Sequence, residues 1–138
     1  MPALNALAAK AYDANSTFGD RVHFVHIYVV EPHPMRPDVC PYTGSLSENA
    51  YSTGRRQPRT YAEREAYARD TKEFITGNQI LLVDDLTPGR YDNPVWCTYG
   101  TCPNCAFLIR QDGTIDTVQL WFNVGEMEQA VRRLPDRR

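Results

Sequence analysis

The stretch that most constrains this chain is Val22-His-Phe-Val-His-Ile-Tyr-Val-Val30. Nine β-favouring residues with few polar interruptions predict a strand buried on both faces and central in a sheet. It ends at Glu31-Pro-His-Pro34, where two prolines remove ladder donors. Three more strands are expected: Gln79-Ile-Leu-Leu-Val83, Ala106-Phe-Leu-Ile109 and Thr114 to Leu120. The last two are joined by the turn Gln111-Asp-Gly113, a hairpin signal.

Helical patterns separate these strands. Leu4, Leu7, Ala8, Ala11 and Tyr12 fall at helical spacing, so a helix is expected over 3–16. Thr60-Tyr-Ala-Glu63 is a capping-box sequence and predicts a helix from there to about Thr76, stopped by Gly77-Asn78. Its expected buried stripe is Ala62, Ala66, Tyr67, Phe74 and Ile75. A last helix opens at Asn123 and closes near Leu134-Pro135. Residues 35–59 carry Pro37, Pro41, Gly44, Gly54 and Pro58. They read as one irregular loop of about 25 residues, longer than the ~12–15 at which structureless loops become uncommon and usually functional. Residues 86–105 also read as loop. The order is α-β-loop-α-β-loop-β-β-α, an α/β chain whose 138 residues fit a single domain over 1–138.

The formal net charge is −2, with 13 Arg and 2 Lys, which gives no electrostatic reason to expect nucleic acid as a partner. No apolar run approaches the ~20 residues of a membrane span. The Ala-rich N-terminus places Lys10 after its apolar stretch, unlike a secretory signal. A cytoplasmic location is therefore the expectation. In a reducing compartment cysteines are more often free, catalytic or metal-bound than permanently bridged.

A β-α-β half followed by a hairpin and a final helix resembles the thioredoxin fold. There a proline, usually cis, precedes the first hairpin strand, the place of Pro103 here. Within that superfamily the chain resembles the iodothyronine deiodinase-like group. The matching words are Ile27-Tyr-Val-Val-Glu-Pro-His-Pro34, Pro58-Arg-Thr-Tyr-Ala-Glu-Arg64 with Ala68, Leu82-Val-Asp84, and Tyr99-Gly100 with Pro103 and the strand to Asp112-Gly113. Together they span roughly residues 20–134. The resemblance implies a thioredoxin-like central mixed sheet of about four strands flanked by helices, its first strand absent. Two features depart from the group. Its reactive selenocysteine or cysteine lies upstream of the matching region, whereas here no cysteine precedes Cys40. Pro32 also replaces an alanine. Only Glu31 and His33 carry over by position, the histidine lying beside the reactive chalcogen in that group.

Four cysteines carry the chemistry, and three of them fall within Cys97-Thr-Tyr-Gly-Thr-Cys102-Pro-Asn-Cys105. Cys102 and Cys105 form a C-x-x-C pair, which suits disulfide exchange or metal chelation because two sulfurs are held within bonding reach. This pair opens a strand, so it lacks the thiolate stabilisation of a helix N-terminus. The bland alternative is small residues filling a crowded loop. On the leading reading Cys102 and Cys105 are a redox couple needing no cofactor, Cys97 resolves an intermediate disulfide, His33 manages protons and Glu31 orients His33. Loop-fixing hydrogen bonds are the simpler role for that last pair. On the second reading Cys97, Cys102, Cys105 and Cys40 or His33 ligate zinc, copper or iron, although the second C-x-x-C of a zinc ribbon is missing.

Other residues have plainer expectations. His23 and His26 fall on opposite faces and read as packing or edge residues. Asp84 and Asp85 read as turn formers more than ligands. Arg55, Arg56 and Arg59 read as a solvated face before an anion site. Trp96, Tyr99, Trp121 and Phe122 read as core before pocket lining. Three functions follow: an oxidoreductase acting on a thiol or small-molecule substrate, a metal-binding protein, and a non-catalytic thioredoxin-like subunit. The third would pair, as a homodimer or with a partner chain, along a sheet edge left open by the absent strand.

Overall fold

In the computed structural model the long apolar run is extended only over Val25–Tyr28, strand β1. The structure describes residues 2–48, 54–86, 93–100 and 104–135. It divides into two compact units, Met1–Thr101 and Cys102–Arg138. The architecture is mixed α/β. Among the described residues there are two two-stranded sheets, one in each unit, where the sequence predicts a single sheet of about four strands.

In the first unit β1 pairs in parallel with β2, Ile80–Val83, in the register Val25↔Ile80 and Ile27↔Leu82. Alternation puts these four aliphatic residues on one face. They are 48%, 43%, 40% and 49% exposed respectively, which corrects the expectation of a strand buried on both faces. On the opposite face His26 is buried, and its Nε2 lies 2.7 Å from Gln79 Oε1. The Gln79 side chain donates in turn to Asn5 Oδ1 at 2.8 Å, tying the N-terminal helix to the strands.

That helix, α1, covers Pro2–Ala9 and stops well short of Ser16. Residues beyond it turn back instead: Tyr12 N–H donates to the Ser16 carbonyl at 2.8 Å, and Asn15 N–H to Asp13 Oδ1 at 2.8 Å. Asp and Asn offer such local acceptors and so compete with helix. A one-turn helix α2, Phe18–Arg21, follows, with Phe18 fully buried and set edge-on against Tyr12.

Parallel strands need a crossover, and helix α3, Tyr61–Lys72, lies in it and contacts β2. The capping box forms as predicted. Thr60 Oγ1 accepts from Glu63 N–H at 3.2 Å, while Glu63 Oε2 accepts from Thr60 N–H at 3.2 Å. The buried stripe does not follow the prediction. It runs through Arg64 and Ala68, and Phe74, beyond the helix, is 65% exposed.

Arg64 is 1% exposed. Its Nη1 donates to the carbonyls of Asp84 (3.1 Å) and Asp85 (2.9 Å), and its Nη2 to Asn93 Oδ1. Asp84, also 1% exposed, accepts Asp85 N–H and Val95 N–H at Oδ1 and Trp96 N–H at Oδ2, each at 3.0 Å. The last two donors belong to the first turn of helix α4, Pro94–Tyr99. Asp84 therefore caps from a distance a helix that the sequence reads as loop. Asn93, in the left-handed region at φ 55°, and Pro94 at the first helical position set its entry.

In the second unit β3, Ala106–Ile109, pairs antiparallel with β4, Ile115–Gln119, with an irregularity between Leu108 and Ile109. Gly113 takes φ 87° in the turn, and its N–H donates to the Arg110 carbonyl at 2.9 Å. Helix α5, Val124–Arg133, is capped by Asn123, whose Oδ1 accepts from Glu126 N–H at 3.1 Å. Its buried Met127, Ala130 and Val131 share one face at i, i+3 and i+4, and the helix contacts β3. Gln119, at the end of β4, is buried and accepts from Asn123 N–H at 3.0 Å.

Replacing Asp84 by alanine strands these amide donors. Asp84→Ala is expected to cost roughly 2–4 kcal/mol in urea unfolding, and Asp84→Asn, which keeps an acceptor, clearly less.

Candidate functional site

The cysteines divide between the units. Cys105 sits half-buried immediately before β3 and is disulfide-bonded. Cys102 and Pro103, with the expected cis-proline, lie outside the described residues. Cys40 and Cys97 are thiols, Cys40 buried and Cys97 exposed on α4. Cys105 is the second cysteine of the C-x-x-C motif. Among the described residues no three His, Cys, Asp or Glu side chains gather as a metal site would require.

A second constellation lies just beyond the C-terminal end of β1. Glu31 is 3% exposed, and its Oε2 accepts from Tyr28 Oη–H at 3.0 Å. Burial first, then the charge of Glu31 and its hydrogen bond, raise the Tyr28 pKa far above that of a free phenol, so Tyr28 is a fixed donor. Glu31 Oε1 accepts from the backbone N–H of His33 at 3.2 Å. The imidazole instead places Nδ1 2.8 Å from Ser47 Oγ. Glu31 therefore fixes the backbone after the strand, whereas the sequence assigns it to orienting the ring.

Gln57 returns from the far end of the long loop and brackets Glu31. Its Oε1 accepts from Glu31 N–H at 3.1 Å, and its Nε2 donates to the Glu31 carbonyl. A side-chain amide here takes the place of a neighbouring strand. Gln57 N–H also donates to Asp38 Oδ2 at 3.1 Å, and Arg56 grips the two oxygens of Asp38 at 2.8 and 3.0 Å. The Arg56 bond, more than the Gln57 amide and the charges of Arg56 and Arg59, holds the Asp38 carboxyl below its ordinary range. Arg55 pairs with Asp70 at 2.8 Å and lies 4.9 Å above the Tyr67 ring. The arginine triplet is thus committed to carboxylates on the protein.

Cys40 opens the turn Cys40-Pro-Tyr-Thr-Gly44, where Gly44 N–H donates to the Cys40 carbonyl at 2.8 Å. Burial opposes ionisation of this thiol. The Thr43 hydroxyl and the N–H groups of Tyr42 and Thr43 together outweigh it, and the Cys40 pKa falls below the ordinary thiol value. Sequence reasoning assigned Cys40 only to a metal. The signal it passed over is a threonine three residues after a cysteine, with proline between them in the first-turn position. Tyr42 stands edge-on to Trp96, ring centroids 6.2 Å apart, and burial raises its phenol pKa.

Other candidates fall elsewhere. Tyr99 and Trp121, expected in the core, are exposed. A cavity of about 270 Å³ in the first unit is lined by Asn5, Thr17, Asp20, Phe24, Gly77 and Gln79 and includes none of the predicted site residues. No helix of the described residues is long and apolar enough to cross a membrane. No known family model, curated protein or solved structure matches the chain.

Two outcomes follow from this geometry. In a Cys97→Ser background, Thr43→Val is expected to raise the Cys40 pKa, seen as thiolate absorbance appearing at higher pH. The Asp38 tie is fully present above the ordinary aspartate value of 3.8 and is lost as pH falls through the lowered value. Asp38→Asn should therefore flatten the acid limb of stability measured by urea unfolding below pH 4.

Proposed function

We propose that this chain is a thiol–disulfide exchange protein acting through Cys102 and Cys105, built on a thioredoxin-like α/β plan whose first strand is absent. The observation that carries the reading is the disulfide-bonded state of Cys105, immediately before β3. The parallel β1–α3–β2 crossover, the hairpin and the closing helix support the fold by their order. An exposed thiol at Cys97 supplies the state a resolving cysteine needs. His33 and Glu31 keep the loop after β1 in place.

Exchange runs by attack of a substrate thiolate on one sulfur of the pair. A mixed disulfide forms, and the other enzyme sulfur leaves as thiolate.

A second reading has its own observation. The four exposed aliphatic residues of the β1–β2 face leave a parallel sheet uncovered on one side, which suits a subunit completed by another chain. The zinc, copper or iron reading has no comparable observation behind it.

Stopped-flow exchange with reduced glutathione tests the proposal. Wild type is expected to react, while Cys102→Ser and Cys105→Ser each fall to background. Unchanged exchange in both variants sinks it.

A further inference from the structure

The cavity of the first unit lies at the end of the sheet where β1 and β2 begin. It holds about 270 Å³, between α1, α2 and the turn that precedes β2. Asn5, Ala8 and Ala9 line it from α1, at i, i+3 and i+4 on one helix face. Small residues keep it open. A Cβ at Gly19 would stand 3.1 Å from the Ala8 carbonyl oxygen, tighter than an ordinary contact, so α2 passes α1 on a glycine. Gly77 turns another wall at φ 70°, where a Cβ would meet nothing within 4 Å. The amides on the floor are tied to each other. Asn5 Oδ1 accepts from Gln79 Nε2 at 2.8 Å and from Thr76 N–H at 3.3 Å, and Gln79 Nε2 also donates to the Thr76 carbonyl at 2.7 Å.

The charge around this space has one sign. Thr17 N–H and Oγ1–H donate to Asp20 Oδ2 at 2.8 and 2.7 Å, which leaves Oδ1 for a ligand. The Thr17 amide first, and its hydroxyl second, hold this carboxyl below the ordinary aspartate range, so it is ionised at neutral pH. The C-terminal end of α1 adds the negative end of a helix dipole, and its last turn carries no basic residue. Among the described residues no Lys, Arg or His lines the cavity. The neighbouring Arg21 guanidinium lies 5.0 Å over the Tyr12 ring instead. Ala8, Ala9, Val22 and Phe24 make the rest of the lining largely apolar.

We infer that this cavity binds a compact organic ammonium ion, its charge on Asp20 Oδ1 and its apolar body against Ala8, Ala9 and Val22. An anion is repelled there, and a neutral molecule forgoes the charge-assisted bond. Pockets for drug-sized ligands begin at ~300 Å³, so the body is one of a few carbons. The lining holds no cysteine, and the inference stands apart from the exchange reading.

The test uses the full chain and probes that share one body: isoamylamine, isoamyl alcohol and isovalerate. Each is titrated at neutral pH and followed by NMR of the backbone amides. The amine is expected to saturate with a Kd of about 1 mM, moving the amides of Ala9, Gly19, Asp20 and Gly77. It should bind about tenfold tighter than the alcohol, with isovalerate weakest. Asp20→Asn keeps an acceptor for Thr17 and brings the ratio of amine to alcohol toward one. Asp112→Asn, the same change of charge in the second unit, keeps the ratio. Ala9→Leu fills the cavity from an exposed helix position and weakens amine and alcohol alike. Equal affinity for amine and alcohol, a ratio that survives Asp20→Asn, or saturating shifts confined to other residues overturns the inference. So does amine binding unchanged by Ala9→Leu, because the charge then acts without the cavity. Should Asp20→Asn fail to fold, Ala9→Leu decides alone: lost binding supports the site and retained binding overturns it.

Discussion

The first unit depends on a buried charge placed at the end of a strand. Asp84 receives two amides of the first turn of α4, and Arg64 collects the carbonyls of Asp84 and Asp85 together with the Asn93 side chain. Burying a charged group is costly unless it is paired and hydrogen-bonded. Here one strand end, one crossover helix and one short helix supply each other's missing partners. The exposed thiol of Cys97 is carried on that short helix, so its placement depends on a residue thirteen positions earlier in the sequence.

The strand end of β1 follows the same principle with different groups. Two prolines prevent the chain from continuing a ladder after Glu31, and the Gln57 amide satisfies the Glu31 backbone in place of a neighbouring strand. Tyr28 and the His33 amide satisfy the carboxylate. Asp38 and Arg56 hold Gln57 where it is needed. The long loop is thus anchored at both ends through polar contacts and leaves a turn in which Cys40 is buried against hydrogen-bond donors.

The second unit is simpler. A hairpin puts one face on α5 and leaves the other to solvent, and the residues after β4 fold back beside Asn104. Asn104, the residue before Cys105, is thereby held against Trp121 and Phe122.

Local chemistry was legible in the sequence. The Thr60–Glu63 capping box, the Gly113 turn, the Asn123 cap and the hairpin strand at Ala106–Ile109 rest on contacts between residues close in the chain, and these form where the sequence places them. The candidate site was legible only in part. Glu31 and His33 were recognisable from the prolines around them, but the partner of the His33 ring, Ser47, lies fourteen residues away and carries no pattern. What tertiary structure alone decided has a common cause. The burial of Arg64 in place of Phe74, the helix at Pro94–Tyr99 and the exposed face of β1 each depend on which distant group satisfies a backbone donor or covers an apolar side chain. Periodicity reports that a side chain is apolar and on which face it falls, whereas only the folded neighbours determine whether that face is covered.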